Sequence, residues 1–180
     1  MAEYRHIQRE FGPVWDPDSE ILILGSFPSV KSREAGFFYG HPQNRFWPLL
    51  AKVLDSPIPQ SIEEKKALLL SHHVALWDVL DSCDIIGSSD SSIRNAVPVD
   101  IMAVLRSSGI CRIYCNGGTA YRLFMKHLSP VCGLSAVRLP STSPANAAWP
   151  LDRLYGEWKQ IASEEAWAVP LPPQDKTVSV

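Results

Sequence analysis

The strongest fold signal lies in EILILGSFPSVKSREAGFFYGHPQNRFW, residues 20–47. It opens on an unbroken apolar run, Ile21 to Leu24, and stops at Gly25. A short apolar run without alternation, closed by a turn residue, predicts a strand covered on both faces, as in a parallel sheet. The following GSFPS, residues 25–29, carries a glycine and a proline. Together they fix a tight turn that lets backbone N–H groups face a bound group. Three aromatics follow, Phe37, Phe38 and Tyr39, and then HPQNRFW, residues 41–47. From Asn44 the periodicity changes. Phe46, Trp47, Leu50, Val53 and Leu54 recur at helical spacing, predicting a helix over 44–54.

Three further segments share the character of the first strand. They are HVALWD (73–78), ICRIYCN (110–116) and LSAVRLP (134–140). Helical patterns lie between them at 61–71, 101–107 and 117–128, with a last one at 151–167. Ser61 and Glu64 form a capping-box pair, and Asp100 is placed to cap the segment after it. Alternating strands and helices predict a three-layer α/β/α sandwich around a mainly parallel, four-stranded sheet. Ligands of such sheets bind beyond the carboxyl ends of the strands. The informative loops are therefore 26–43, 79–99, 117–119 and 141–150.

The chain has 180 residues and is 46% apolar, which suits one globular domain, read as 1–167. The proline-rich tail, 168–180, has few apolar anchors and is expected to be flexible. No apolar run approaches the roughly 20 residues of a membrane span. The charged start, MAEYRHIQRE, has no signal-peptide core, so a cytoplasmic, nucleoid-associated monomer is expected. Cys83, Cys111, Cys115 and Cys132 show no paired spacing. Cys111 and Cys115 read as small apolar residues beside a buried strand, and neither a metal nor another cofactor is expected. The net charge of −2 argues against a wide electrostatic grip on DNA, but leaves room for a small phosphate-binding face.

The stretch GSFPSVKSREAGFFYGHPQNRFW resembles the first active-site motif of the uracil-DNA glycosylase superfamily. It is especially similar to the mismatch-specific branch, where a G-x-N-P-G turn precedes H-P-x-N-R-F-W at the same spacing. STSPAN, residues 141–146, resembles the Ser-Pro loop of that superfamily, and the resemblance covers most of residues 20–160. One departure selects a subfamily. The superfamily usually carries Asp or Asn just before the proline of the first turn, to position the attacking water. Here that residue is Phe27. The combination of turn, HPxNxFW and STSPAN is similar to the hypoxanthine-DNA glycosylase family, and the resemblance implies that Asn44 takes the catalytic role.

Removing a base requires that it leave the stack, that it depart as an anion or gain a proton, and that water reach C1′ of a cation-like sugar. The resemblance places Tyr39 as the aromatic stacked on the flipped base, with a core aromatic as the plainer role. Asn44 is no proton acceptor near neutral pH, but it can orient water or hold a keto edge. A helix cap is its plainer role. The backbone N–H groups of Ser26 and Phe27 can meet charge on the base oxygen, with the Phe27 ring as an apolar wall. Asn116 can read the base or serve a turn. Ser143 and Asn146 can bind phosphate or sugar, or simply build a Ser-Pro turn. His41 can contact phosphate or the leaving group, or be structural, and Arg45 can bind phosphate or form an internal ion pair. Asp78, Asp81 and Asp84 follow the second strand, with Asp90 further on in a serine-rich run; an aspartate there, Asp78 first, can stabilise the sugar cation, with a surface or capping role as the plainer one.

The leading expectation is a monofunctional glycosylase acting on damaged DNA, duplex or single-stranded, with hypoxanthine first and uracil or a G:U or G:T mismatch second. A nucleotide-binding protein or small-molecule hydrolase is disfavoured, because G-x-G-x-x-G, a P-loop and G-x-S-x-G are all missing. A non-catalytic lesion-binding module is the third class.

Overall fold

The computed structural model describes residues 2–163. Its centre is a four-stranded, fully parallel sheet made of β2 (Ile21–Gly25), β3 (Val74–Asp78), β6 (Arg112–Asn116) and β7 (Val137–Leu139), in the order β3-β2-β6-β7. Every residue of β2 and of β3 is buried, as expected for strands covered on both faces. Leu22, Ile23, Leu24, Leu76 and Ile113 form the centre of one continuous apolar core. All four predicted strands are present, three of them one or two residues shorter than predicted and β7 reduced to three residues of the seven.

The helices are α1 (Val30–Ala35), α2 (Phe46–Val53), α3 (Ile62–Ser71), α4 (Ile101–Leu105), α5 (Gly118–Leu123), α6 (Ser129–Cys132) and α7 (Leu151–Trp158). They complete the three-layer α/β/α sandwich. Helix α2 packs on α7, with Phe46 edge-on to Trp158 at 6.0 Å, while α4 packs on α6. Helix α5 passes through a wider turn at Phe124–Leu128 into α6. Ser61 caps α3, accepting from the Glu64 N–H at 3.1 Å, whereas the Glu64 carboxylate reaches Gln60 N–H at 2.6 Å. The Asp100 side chain makes no capping bond, contrary to expectation. The last helix ends at Trp158 and tightens into a 3-10 turn, Lys159–Ala162. Its expected extension to 167, and the tail, lie outside the described residues.

The main surprise is a second sheet. Residues 79–99 were expected as loop. Instead β4 (Leu80–Ile85) and β5 (Arg94–Pro98) pair antiparallel, and β1 (Arg5–Gln8) joins β4 to give the order β1-β4-β5. Their sequences alternate polar with apolar residues too irregularly to show a period of two. β4 starts two residues after β3 ends, so the chain passes from one sheet into the other almost without a break. The junction is tied to the first turn: Val79 N–H donates to Gly25 O at 2.9 Å and Leu80 N–H to Ser26 O at 3.1 Å. Cys111 also departs from expectation, being exposed just before β6, while Cys115 is buried within it.

Candidate active site

The carboxyl ends of β2, β3 and β6 open into a cavity of about 290 Å³. Ser26, Phe27, Tyr39, His41, Asn44, Asn116 and Ser143 all line it, so these residues singled out from sequence converge on one space. Asn146 lines an adjoining groove of about 540 Å³.

The floor is narrow because Gly25 has no side chain. A Cβ there would stand 2.4 Å from Asp78 Oδ1 and 3.0 Å from the Tyr39 hydroxyl. Asp78, the last residue of β3, is buried and pairs with the equally buried Arg9 at 3.2 Å. Arg9 also donates to Phe11 O at 2.9 Å and Leu80 O at 3.3 Å. Burial pushes the Asp78 carboxyl up to about 6, against the pull of the Arg9 guanidinium.

Tyr39 forms one wall. Its ring stacks on Phe46 with centroids 4.1 Å apart and planes 22° apart. Its backbone is left-handed, with φ of 53°. Such a conformation costs a bulky residue about 1–2 kcal/mol, so the surroundings must hold it. Trp47 Nε1 holds the preceding carbonyl, Phe38 O, at 3.1 Å, and Ser32 Oγ accepts from the following N–H, that of Gly40, also at 3.1 Å. Burial, reinforced by Asp78, pushes the Tyr39 phenol up, so it stays protonated. The hydroxyl is buried near Asn116 but makes no hydrogen bond of good geometry. Phe27 is buried and lines the cavity.

Asn44 lines the cavity, and its side chain fills the plainer, capping role. Its Oδ1 accepts from Phe46 N–H at 2.9 Å, the cap of α2, and from Thr142 Oγ1 at 2.8 Å. Thr142 in turn accepts from Asn116 Nδ2 at 3.0 Å, and its own N–H donates to Asn116 Oδ1 at 3.0 Å. Each backbone N–H fixes which end of the amide is oxygen, so the whole chain of bonds has one direction. With its oxygen twice engaged, Nδ2 is the end of the Asn44 amide left to donate. Asn116 is held by Thr142 at both ends of its amide and lines the cavity beside it.

His41 Nδ1 accepts from Gln43 N–H at 3.0 Å, which leaves Nε2 as the protonated ring nitrogen. Arg45 is internal. Its guanidinium donates to the carbonyls of Thr142 (3.3 Å), Ser143 (2.7 Å), Asn146 (3.1 Å) and Trp149, clamping the 141–149 loop against α2. Within that loop Ser141 Oγ accepts from Ser143 N–H at 3.1 Å, Ser143 Oγ from Ala145 N–H at 3.2 Å, and Asn146 Nδ2 donates to Ser141 O at 3.0 Å. The side chains of Ser143 and Asn146 therefore build the turn that borders the groove.

Sequence reasoning passed over Thr142, Arg9 and Phe11. Thr142 lay inside a motif already in view, yet only its partners show that it is the hub. Arg9 and Phe11 carry no local signal: the segment after β1 brings Phe11 to the cavity wall and Arg9 to Asp78 from near the start of the chain. Ser26 Oγ donates to Asp90 Oδ1 at 2.9 Å, bringing the serine-rich run to the first turn.

Comparison with known proteins agrees with this geometry. The family model described as the uracil DNA glycosylase superfamily matches residues 13–164. A protein of Methanosarcina acetivorans named hypoxanthine DNA glycosylase is 33% identical over 156 residues, covering 86% of this chain and 98% of its own. One of the same name from Methanosarcina barkeri is 39% identical over 87 residues, covering 47% of this chain and 54% of its own. A solution NMR structure from Methanosarcina acetivorans, described provisionally as a uracil DNA glycosylase, superimposes with a TM-score of 0.74 at 31% identity, covering 86% of this chain and 95% of that one. The parallel sheet, the cavity at its carboxyl edge and these likenesses together establish that the chain is a DNA glycosylase and belongs to the uracil DNA glycosylase superfamily.

Proposed function

We propose that this glycosylase removes hypoxanthine from deoxyinosine in DNA and hydrolyses the N-glycosidic bond without a lyase step. The observation that carries the reading is that Asn44 lines the cavity with its amide oxygen held by Phe46 N–H and the Thr142 hydroxyl, which leaves the amide nitrogen as the end to meet a base. A donor at that point favours a keto oxygen, which hypoxanthine has, over the exocyclic amino group of adenine. The flipped base stacks on Tyr39 and abuts Phe27. The backbone N–H groups of Ser26 and Phe27, with Nε2–H of His41, are the further donors for charge that develops on the departing base. The Ser143–Asn146 turn meets the sugar-phosphate backbone. Two relatives named hypoxanthine DNA glycosylase support the choice of base. Uracil also offers keto oxygens and is the second candidate.

The test is incision of labelled duplexes holding deoxyinosine, deoxyuridine, deoxyxanthosine or a normal base, followed by alkali to cut abasic sites. The expected result is cleavage at deoxyinosine and none at deoxyadenosine. Cleavage at deoxyuridine alone overturns the choice of base. Asn44→Ala is expected to lower single-turnover release by about 100-fold or more while the protein still binds lesion duplex. Unchanged release removes Asn44 from the mechanism.

A further inference from the structure

Hydrolysis at C1′ consumes one water, and the proton that water sheds needs an acceptor. Most groups in the cavity cannot serve. Asn44 and Asn116 are amides, the Tyr39 phenol is protonated, and the acceptor nitrogen of His41 is held by Gln43 N–H. Two carboxylates remain, Asp78 and Asp90. Asp78 is buried against the Arg9 guanidinium, which offsets its charge.

Asp90 is placed differently. It lines both the base cavity and the adjoining groove. A base in the first and a DNA backbone along the second must be joined by a sugar at their meeting point. Asp90, Asn116, Ser141, Ser143 and Ala145 are the residues common to both, and Asp90 alone among them is ionisable. One carboxylate oxygen accepts from Ser26 Oγ at 2.9 Å, and no cation lies within ion-pair distance among the described residues.

The segment that carries Asp90 is held firmly although it is exposed. Ser92 Oγ accepts from Ile86 N–H at 2.8 Å and donates to Ser89 O at 2.7 Å. Ser88 Oγ accepts from Val30 N–H at 2.9 Å, and Arg33 donates to Gly87 O at 3.2 Å, so α1 fastens the segment to the first turn. Asp90 is itself exposed. Even so, the surrounding protein pushes its carboxyl up from the usual range, opposed by the Ser26 bond and by Arg122. That direction suits a proton acceptor.

We infer that Asp90 is a catalytic residue: it lies against the sugar of the flipped nucleotide and takes the proton of the attacking water. This rests on the glycosylase reading above. The C1′–N9 bond breaks with its electron pair leaving on the base. Water oxygen forms the new C1′–O bond, and its proton passes to Asp90 Oδ2. The base anion takes up one proton from solvent, and Asp90 later returns its own to solvent. The carboxylate also faces the positive charge that builds on the sugar ring, as paired carboxylates do in glycoside hydrolysis.

The test compares wild type, Asp90→Asn and Asp90→Ala in single-turnover release from a deoxyinosine duplex. Binding is followed on a duplex with a tetrahydrofuran abasic site, and thermal melting checks the fold. Asp90→Asn is expected to fall by about 100-fold or more, with binding changed less than about threefold. Added formate is expected to restore part of the rate of Asp90→Ala, which a purely structural role would not allow. Release by Asp90→Asn within about threefold of wild type overturns the assignment. So does a folded Asp90→Ala whose lost rate formate does not recover. If wild type releases uracil and not hypoxanthine, the choice of base fails by itself, and the same variants are compared on a deoxyuridine duplex.

Discussion

The Thr142 hydroxyl donates to Asn44 Oδ1 at 2.8 Å, joining two motifs 98 residues apart in sequence. Because Asn44 Oδ1 also caps α2, Thr142 governs both the position of the amide and the direction in which it offers a hydrogen bond. Thr142→Val keeps the shape, removes the donor, and leaves Asn116 Nδ2 without its acceptor. A buried polar group without its partner costs about 1–3 kcal/mol. Denaturant unfolding is expected to show a loss of that size, and base release is expected to drop by about 10-fold, equivalent to about 1.4 kcal/mol. Unaltered release would mean that Asn44 holds its place without Thr142.

Arg45 tests whether a basic residue beside a DNA site acts on DNA. Its guanidinium makes four hydrogen bonds to carbonyl groups of the 141–149 loop. Arg45→Met is expected to destabilise the fold by about 2–4 kcal/mol, since charged hydrogen bonds contribute about 1.5–3 kcal/mol each and the loop relaxes in part. The slope of log binding constant against log salt is expected to stay as in wild type. A slope lower by about 1 would mark a phosphate contact instead.

Asp78 makes stability depend on pH. Its folded value, about 6, lies above the ordinary 3.8, so the folded protein holds this proton more tightly than the unfolded chain. The stability this confers is complete below about pH 4 and is lost as pH rises to about 6. The melting temperature of wild type minus that of Asp78→Asn is therefore expected to fall between these limits and to level above them. A difference that rises with pH would show that Arg9 outweighs burial.

Gly25 is a steric requirement. Asp78 Oδ1 and the Tyr39 hydroxyl would meet a Cβ at 2.4 Å and 3.0 Å. Asp78 is tied to Arg9 and cannot swing aside freely. Gly25→Ala is expected to cost about 1–3 kcal/mol in thermal or denaturant unfolding, the usual range for overpacking, and to impair base release by displacing Tyr39. Wild-type stability and activity would show that the floor is looser than these distances imply.

The amino-acid sequence by itself determined the central sheet, the loops at its carboxyl edge and most residues of the cavity. Buried parallel strands need continuous apolar runs, as at Ile21 to Leu24, and tight turns need Gly and Pro, so both leave local marks. HPQNRFW and STSPAN are likewise short contiguous stretches, and they carried the likeness to the superfamily. Only the tertiary structure decided the second sheet, because β1, β4 and β5 share few apolar positions and depend on partners up to 80 residues distant in the chain. It also decided what each polar side chain does. Whether Asn44 offers oxygen or nitrogen to a base depends on the N–H of Phe46 and the hydroxyl of Thr142. Whether Arg45 meets phosphate or carbonyls depends on where the 141–149 loop comes to rest. Hydrogen bonds are directional and short in range, so residue type states what a group can do, and only its neighbours in space select which of those things it does.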